Sequence, residues 1–417
     1  MLWMMIIACD ADKAGSSNTV DTTDTSAATP YTYYTDIKPI LEQNCVRCHQ
    51  DGGLGLGDFN DPELVVSFAD TMLVAIDEGR MPPPASDPAC QDYAGSEQLF
   101  LDPEDRDIIA DWTAGGSPLG DEADAVTTEP VETNLIDPDL TLYLPAAYTP
   151  VYKDDENPGN EYRCFVLDPK LEETVYLTAM APIIDQASIV HHEVLFSMPR
   201  SALSEGDLDP SGYDCIDGIG TDQLDGMIAA WAPGMLPIHF PEGSGMRLTA
   251  DDVLVMQMHY YSSPENLGLS DQSGYAFHTT DSVEKNVYMA PIGIFDFSIP
   301  AGEESYTDGD SFNNSYLDLS VYGMFPHMHV LGSEFKASIK HTDGTETCLV
   351  EGDYDFNNQM TYQFNQPITF EQGAEIDFEC TWNNSSSNDD LSWDPETTEY
   401  GERTNEEMCF FFTLVSF

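Results

Sequence analysis

The spacing of hydrophobic residues changes once along the chain, between residues 117 and 135. Before this point apolar residues recur every three or four positions in three segments, which predicts three short helices. Each helix has residues that favour its start or its end. These residues are Asp36 before the first helix, Pro62 and Gly79 around the second, and Asp102-Pro103 and Gly115-Gly116 around the third.

After residue 137 short segments rich in Val, Tyr, Phe and Thr alternate with Gly, Pro, Asn and Asp turns. This pattern predicts a β region that is too long for one sandwich and suits two. We expect a multidomain chain, with a small all-α domain followed by two antiparallel, jelly-roll-like β-sandwich domains. The expected boundaries are 1–30 for a signal remnant and flexible tether, 31–117 for the helical domain, 118–136 for a linker, and 137–283 and 284–417 for the two sandwiches.

Composition and charge exclude several classes of protein. The chain has 417 residues, of which 75 are Asp or Glu and 14 are Lys or Arg, so its formal net charge is -61. A surface this acidic repels nucleic-acid phosphates. No apolar run approaches the roughly 20 residues that cross a bilayer, and a hydrophobic fraction of 41% is too high for a disordered chain. We therefore expect folded domains with no nucleic-acid partner.

The segment from Cys45 through Cys48 to His49 has the CxxCH pattern that attaches a c-type haem. Two thiols add to the haem vinyl groups, and the adjacent imidazole binds the iron. A chance match or half of a zinc site is the alternative, but no second Cys or His pair lies at a matching distance in this region. We expect one covalently bound haem c, in a domain that resembles the small monohaem class I cytochromes c.

Met81 is the expected sixth iron ligand, because it follows the second helix and is held on a stiff run of prolines. Met72 is the alternative, but its place in the apolar stripe of that helix favours a core role. Ligation by His49 and Met81 raises the reduction potential and makes the haem an electron carrier. Haem c is attached outside the cytoplasmic membrane, in a compartment where disulfides persist.

The chain begins with an apolar run that ends Ile6-Ile7-Ala8-Cys9, which resembles a bacterial lipobox. An ordinary or truncated secretion signal is the alternative. We expect a lipid anchor at Cys9 that holds the protein at the membrane surface, and a flexible tether over residues 11–30. The expected location is outside the cytoplasmic membrane of a bacterium, in the periplasm or on the cell surface.

Three groups of histidines indicate metal binding in the β region. These groups are His191-His192, His259 in a run of apolar residues, and His327-x-His329. In a strand, His327 and His329 project from the same face, and Gln257 lies beside His259 as a hydrogen-bond partner for its ring. Imidazoles without a thiolate fit copper or zinc, and a thioether favours copper.

The neighbours His191 and His192 set a condition on the backbone. Adjacent residues point to opposite faces of a regular strand. The two imidazoles can therefore share a metal only if a bulge or a strand end lies at this position.

In this order the histidine groups resemble the copper type II, ascorbate-dependent monooxygenases, which include peptidylglycine α-hydroxylating monooxygenase and dopamine β-monooxygenase. The resemblance covers roughly residues 137–417. It includes the further motifs Ala230-Trp231-Ala232-Pro233, Pro241-Glu242-Gly243-x-Gly245 and Glu406-Glu407-Met408-Cys409. The resemblance implies two sandwiches that face each other across a solvent-filled cleft, with one copper ion on each.

Two copper sites follow from the resemblance. The electron-transfer copper takes three imidazoles, those of His191, His192 and His259. The copper at which O2 is reduced and the substrate C–H bond is attacked takes two imidazoles and a thioether, those of His327, His329 and Met408. From the residues alone, Met408 is a buried strand methionine.

The resemblance also implies two disulfides, Cys164–Cys215 and Cys380–Cys409. Two further cysteines, Cys90 and Cys348, have no counterpart in it. They either form a third disulfide, which joins the helical domain to the second sandwich, or remain as two free thiols.

The substrate pocket departs from the pattern that peptidylglycine hydroxylation implies. There, Arg, Asn and Tyr side chains hold the substrate carboxylate, whereas this chain has Phe325, Phe410 and Phe412 at those positions. A buried carboxylate without donors is costly. We expect an uncharged, largely apolar small substrate and no turnover of peptides that end in glycine.

The leading hypothesis is a copper-dependent monooxygenase that uses O2, two copper ions and its own haem. Electrons are expected to pass from an external donor through the haem to the three-histidine copper and then to the second copper. The alternatives are a non-catalytic copper-binding or electron-transfer lipoprotein of the periplasm, and a haem segment that serves only for docking.

Overall fold

The computed structural model describes residues 31–417 except 51–52, 54, 129–130, 132, 153–158, 216–225, 262–265, 389, 392 and 402. Strands make up 41% of the described residues and helices 15%. Within this described part, no helix is long and apolar enough to cross a membrane. The anchor expected at Cys9 and the tether expected over residues 11–30 lie outside the described residues.

The α-helices all lie before residue 115. They are α1 (Lys38–Asn44), α2 (Pro62–Asp77), α3 (Ser96–Leu99) and α4 (Pro103–Ala114). A π-helical turn, Tyr33–Ile37, leads into α1, and 3-10 turns lie at Glu122–Asp124, Arg200–Ala202 and Glu205–Leu208. The three predicted helices are present as α1, α2 and α4, and the side chains of Asp61 and Asp102 cap α2 and α4. Helix α3 is too short for its periodicity to be read from the sequence.

Twenty strands follow in the part of the chain that the structure describes. They are β1 (Leu140–Tyr143), β2 (Asn160–Leu167), β3 (Val175–Ile183), β4 (Val190–Pro199), β5 (Tyr213–Asp214), β6 (Met227–Trp231), β7 (Ile238–His239), β8 (Ser244–Leu248), β9 (Asp252–Tyr261), β10 (Gly274–Thr280), β11 (Lys285–Ile294), β12 (Ser298–Ile299), β13 (Glu303–Asn313), β14 (Leu319–His327), β15 (Gly332–Lys340), β16 (Glu346–Asp353), β17 (Tyr362–Phe370), β18 (Glu375–Asn384), β19 (Thr398–Glu399) and β20 (Cys409–Ser416).

The strands form three large sheets and one short pair. A five-stranded sheet has the order β5-β2-β9-β4-β6, and a four-stranded sheet has the order β13-β18-β15-β16. A nine-stranded sheet runs β1-β10-β3-β8-β11-β20-β14-β17, with β7 paired to β3. Its strands β8 and β11 pair in parallel, which joins strands from before and after residue 283 in one sheet. A buried apolar cluster connects all three large sheets.

The expected fold class, a small all-α cytochrome c domain followed by two antiparallel sandwiches, is wrong. The described chain is mostly β, and it contains no separate all-α cytochrome c domain. The helices do bury a small core of their own around Ile37 and Trp112. However, Tyr93 and Leu99 belong to the core of the β region. The helical periodicity is local, whereas the contacts that merge the two regions are long-range, and the sequence pattern does not show them.

Residues 31–124, termed the helical segment below, are fixed to the β region at several points. A disulfide links Cys90 to Cys348 on β16. The backbone N–H of Ser86 donates to the hydroxyl of Tyr362 at 2.9 Å, and the hydroxyl of Tyr93 donates to the carbonyl of Leu349 at 3.0 Å. The helical segment is therefore held by contacts along its length, in addition to the chain that follows it.

Candidate functional site

His191, His192 and His259, termed the first cluster below, come together where β4 pairs with β9. The strands run antiparallel with His192 opposite His259, and the register shifts between Val190 and His192. This shift is the backbone irregularity that two adjacent histidines need in order to face the same side. The fold thus brings three imidazoles from two strands into one place.

The three imidazoles present the same nitrogen to one another. The Nδ1 atom of His192 lies 3.0 Å from Nδ1 of His191 and 3.3 Å from Nδ1 of His259. One nitrogen from each ring lies within 4.8 Å of the others. A proton satisfies at most one pair of these nitrogens, whereas a single cation satisfies all three. Three imidazoles without a thiolate fit copper or zinc.

Two asparagines orient the rings of the first cluster. The Nε2 atom of His191 lies 3.0 Å from Oδ1 of Asn357, and Nε2 of His259 lies 2.7 Å from Oδ1 of Asn160. An amide oxygen only accepts hydrogen bonds, so each Nε2 carries the hydrogen and each Nδ1 keeps its lone pair.

The sequence did not reveal these partners. Gln257, which was expected beside the ring of His259, donates its side-chain amide to the carbonyl of Cys215 at 3.2 Å. Asn160 lies on β2, the neighbour of β9, and Asn357 lies 166 residues from His191. No spacing along the chain signals either asparagine, because both contacts depend on strand order.

Burial keeps the first cluster neutral. It lowers the pKa of His191, and it lowers the pKa of His192 and His259 well below the usual value. Repulsion between neighbouring rings adds to the effect on His192 and His259. The neutral imidazole is the form that binds a metal ion.

His327, His329 and Met408, termed the second cluster below, lie around the end of β14. The strand ends at His327, so His329 lies in the following loop and not on the same strand as expected. Their ring centroids are 5.3 Å apart. Nδ1 of His327 donates to Oε1 of Gln359 at 2.7 Å, and Nδ1 of His329 donates to the carbonyl of Glu406 at 3.0 Å. Donation from Nδ1 leaves the lone pair of each ring on Nε2.

Glu407 joins the backbones of His329 and Met408. The carboxylate of Glu407 is fully buried. It accepts four hydrogen bonds at 2.7–3.1 Å, from the backbones of His329, Leu331 and Met408 and from the indole of Trp382. In the β14–β20 pair, His327 lies opposite Phe410, which is two residues after Met408. Burial raises the pKa of Glu407 to about 7, and burial lowers that of His329 to about 3.

An aromatic cluster lies next to His327. Phe325 pairs with Phe412 across β14 and β20, and both side chains are buried, as is that of Phe410. The ring of Phe325 lies 5.9 Å from those of His327 and Phe412, and Phe412 lies 5.9 Å from Phe410. The three phenylalanines expected in a substrate pocket therefore form one apolar wall beside the second cluster.

Cys45 and Cys48 are free thiols directly after α1, and they border a cavity of about 580 Å³. Burial raises the pKa of Cys45 to about 12 and also raises that of Cys48, so both thiols are protonated at neutral pH. Nδ1 of His49 lies 3.0 Å from the carbonyl of Leu56, and its ring stacks on Phe59 at 4.3 Å. The lone pair of His49 is therefore on Nε2.

The same cavity reaches the first cluster. Met72 and Met81 border it from the helical segment, and Val190, His191 and Asn357 border it from the β region. Its lining is mostly apolar. Both methionines considered as an iron ligand therefore lie at this cavity, which we term the CxxCH cavity.

The CxxCH motif contacts the β region directly. Arg47 donates from Nη1 to the carbonyl of Gly234 at 2.6 Å. Gly234 has a φ of +86°, and a Cβ there would lie 3.2 Å from Sγ of Cys48. Glycine is required at this position by the backbone conformation and by the close approach of the motif.

The described part of the chain contains three disulfides. Cys164–Cys215 and Cys380–Cys409 are formed, which confirms both implied pairings. Cys90–Cys348 is also formed, so these two cysteines are a pair and not free thiols.

Comparison with known proteins identifies two matched regions. Residues 153–267 match the N-terminal domain of the copper type II ascorbate-dependent monooxygenases, and residues 303–415 match their C-terminal domain. The chain is 26% identical over 277 residues to "DBH-like monooxygenase protein 2" of Mus musculus, which covers 60% of this chain and 42% of that protein. It is 24% identical over 199 residues to "Dopamine beta-hydroxylase" of Canis lupus familiaris, which covers 44% of this chain and 31% of that protein. The chain thus spans less than half the length of these relatives.

Solved structures add no argument about the fold. The major capsid protein P2 of bacteriophage PM2 aligns with a TM-score of 0.27 at 8% identity, over 62% of this chain and 97% of that chain. The VP2 subviral particle of infectious bursal disease virus aligns with a TM-score of 0.20 at 13% identity, over 70% of this chain and 74% of that chain. TM-scores this low do not establish a shared fold.

Proposed function

We propose that this chain is a dicopper monooxygenase that inserts one atom of O2 into a substrate C–H bond. The chain belongs to the copper type II ascorbate-dependent monooxygenase family through residues 153–267 and 303–415. The observation that carries the proposal is the convergence of three Nδ1 atoms in the first cluster. The two imidazoles of the second cluster, with the backbone of Met408 joined to that of His329 through Glu407, support a second copper. Copper bound there supplies the one-electron chemistry that O2 activation needs.

The residues of the two clusters suit the two proposed copper ions to different roles. The first cluster is an all-nitrogen set and suits a copper ion that only transfers electrons. The thioether of Met408 favours Cu(I), the form that reacts with O2. Asn160, Asn357 and Gln359 fix the tautomers and orientations of the rings that they bind, so each ring presents its lone pair to the metal position.

The apolar wall beside the second cluster supports an uncharged, largely apolar or aromatic substrate. Phe325, Phe410 and Phe412 offer no hydrogen-bond donor to a carboxylate. Burial of apolar substrate surface against these rings supplies the binding energy and keeps water away from the reacting C–H bond.

We also propose that the CxxCH cavity holds a covalently attached haem c. The residues present fit this group, because two protonated thiols, the imidazole of His49 and the thioether of Met81 border one mostly apolar cavity of about 580 Å³. A haem there supplies one-electron transfer. The cavity lies between the helical segment and the β region, so the haem is held at their junction and not inside an independent helical domain.

The position of His191 supports an electron route. Its side chain belongs to the first cluster and also borders the CxxCH cavity. We propose that electrons pass from an external donor through the haem to the first cluster and then to the second. The many contacts of the helical segment with the β region hold this arrangement, so no separate docking event is required.

The proposed location is outside the cytoplasmic membrane, with a lipid anchor at Cys9. The three disulfides support this location, because such bonds persist in oxidising compartments. Mass spectrometry of protein from its native membrane tests the anchor, and an unmodified Cys9 would reject it.

Copper titration followed by O2 uptake tests the proposed activity. We expect two copper equivalents per chain, and O2 uptake that depends on an apolar substrate and is lost in His329→Ala. The matched control is His278→Ala, since His278 pairs with Asp139 away from both clusters. Two coppers without substrate-dependent uptake would instead indicate a non-catalytic copper protein.

The haem is tested separately by the mass and visible absorption of the intact chain. We expect a covalent haem adduct that disappears when Cys45 and Cys48 are both replaced by Ser. An unmodified wild-type chain, produced with the haem-attachment machinery present, would reject the haem and leave the copper proposal standing.

A further inference from the structure

One short segment contacts both histidine clusters. Phe356–Gln359, termed the bridging segment below, lies between β16 and β17. Oδ1 of Asn357 accepts from Nε2 of His191, and Oε1 of Gln359 accepts from Nδ1 of His327. These two histidines lie on strands of different sheets, β4 and β14. A run of four residues therefore orients one ring in each cluster.

Phe356 fills the space between the clusters. Its ring centroid lies 5.0 Å from that of His191 and 6.5 Å from those of His192 and His329. The side chain is only 8% exposed. The sequence resemblance implies a solvent-filled cleft between the two metal sites, whereas here a buried aromatic ring contacts both of them.

The bridging segment is itself held in place. The side-chain amide of Gln359 donates to the carbonyl of Phe356 at 3.0 Å, which closes the segment on itself. The side-chain amide of Asn358 donates to the carbonyl of Pro84 at 2.8 Å, which ties the segment to the helical segment. The bridging segment is therefore tied to the helical segment as well as to both histidine clusters, so it can act as a spacer.

We propose that the bridging segment is a positioning element that holds the two copper ions at one short, fixed separation and keeps bulk water from between them. Phe356 acts as the spacer, and Asn357 and Gln359 orient the rings on either side. The inference rests on the proposed function, because it requires a copper ion in each cluster. It goes further by assigning the spacing of the two ions to residues that bind neither.

The test is a measurement of the copper–copper distance from dipolar broadening in the continuous-wave electron paramagnetic resonance spectrum of the frozen full chain loaded with Cu(II). We expect the wild-type protein to show a single narrow copper–copper distance. Phe356→Ala should lose this narrow distribution, and Phe412→Ala should keep it, since Phe412 is also a buried phenylalanine but contacts only the second cluster, at 6.3 Å from His327. Phe356→Leu, which keeps an apolar side chain, should restore most of the narrow distribution.

A second pair of variants covers the case in which Phe356→Ala does not fold. Asn357→Leu should broaden the distance distribution, whereas Asn365→Leu should not, because the side-chain amide of Asn365 donates to the carboxylate of Asp92 at 2.8 Å. If Phe356→Ala binds two coppers at an unchanged distance, this inference is overturned and the proposed function stays intact. Where Phe356→Ala does not fold, the same result in Asn357→Leu has the same meaning. A wild-type chain that binds fewer than two coppers would overturn both.

Discussion

The two clusters hold their histidines by opposite nitrogens. In the first cluster, side-chain amides of Asn160 and Asn357 take the Nε2 hydrogens, and the Nδ1 atoms converge. In the second cluster, Gln359 and the carbonyl of Glu406 take the Nδ1 hydrogens, and the lone pairs lie on Nε2. The partner on the far side of each ring therefore decides which nitrogen is presented to a metal.

The clusters also differ in what surrounds them. The first cluster is oriented by asparagines from two distant parts of the chain, and His191 borders the CxxCH cavity. The second cluster is held by Glu407 and the backbone around it, beside a wall of phenylalanines. The first cluster is thus open to a neighbouring cavity, and the second is enclosed by buried side chains.

The largest expected effects come from removing one ligand from each cluster. We expect His192→Ala and His329→Ala each to lose one of two copper ions and to abolish substrate oxidation. Their spectra should differ, because His192→Ala keeps the copper that has the thioether, and His329→Ala keeps the all-nitrogen copper. Copper analysis and electron paramagnetic resonance measure these losses. Loss of the same copper signal in both variants would contradict the assignment of a different copper ion to each cluster.

The next effect concerns Glu407, whose buried carboxyl group binds the backbone around the second cluster. Glu407→Gln replaces a carboxylate that accepts four N–H groups with a side chain that carries its own donors. We expect the copper affinity of the second cluster to fall by roughly 10–100-fold and the free energy of unfolding to fall by about 1–3 kcal/mol. Copper titration and denaturant unfolding measure both quantities.

The matched control for that variant is Glu406→Gln. Glu406 is the adjacent residue, its side chain is partly exposed, and it contacts His329 through its backbone carbonyl, which the substitution keeps. Equal losses in the two variants would show that the buried carboxylate has no special role.

A moderate effect is expected at the covalent link between the helical segment and the β region. Replacing Cys90 and Cys348 with Ser removes a disulfide and should destabilise the fold by roughly 2–4 kcal/mol. Hydrogen exchange should increase in the helical segment, while the copper signal of the second cluster stays unchanged. A changed second cluster with an unchanged helical segment would contradict the division between an open and an enclosed site.

The smallest effect is expected far from both clusters, at Glu371. The N–H of Thr342 and the ring of His341 lower the pKa of this half-buried carboxylate to about 2. The folded state therefore favours the carboxylate, and this stabilisation is complete above pH 4.5 and is lost as the pH falls towards 2. In Glu371→Gln the acid unfolding curve should flatten slightly in that range, and copper binding at neutral pH should not change. A change in copper binding would show that the clusters depend on distant surface charges.

The sequence singled out the histidines of both clusters but not the residues that orient them. The order and spacing of His191-His192, His259 and His327-x-His329 are local features, and their apolar surroundings placed them in strands. Asn160, Asn357, Gln359 and Glu407 act through contacts between segments that are distant in the sequence. Glu407 lies in the motif Glu406-Glu407-Met408-Cys409, but no pattern around the other three residues distinguishes them from ordinary polar positions.

The fold-class error has a similar cause. Helical periodicity predicted α1, α2 and α4, and these helices form. Whether the segment that carries them stands alone depends on residues 86–100, which have no regular pattern. Ser86 and Tyr93 pair with Gly352 and Phe364 of the β region, and such pairing between distant segments is set by the tertiary fold.

The most direct test of the account is a crystal structure of the copper-loaded protein with anomalous diffraction measured at the copper edge. We predict two copper peaks per chain. One should lie among Nδ1 of His191, His192 and His259, and the other among Nε2 of His327, Nε2 of His329 and Sδ of Met408. A single peak, or a peak on Nε2 of His191 or His259 in place of Nδ1, would contradict it.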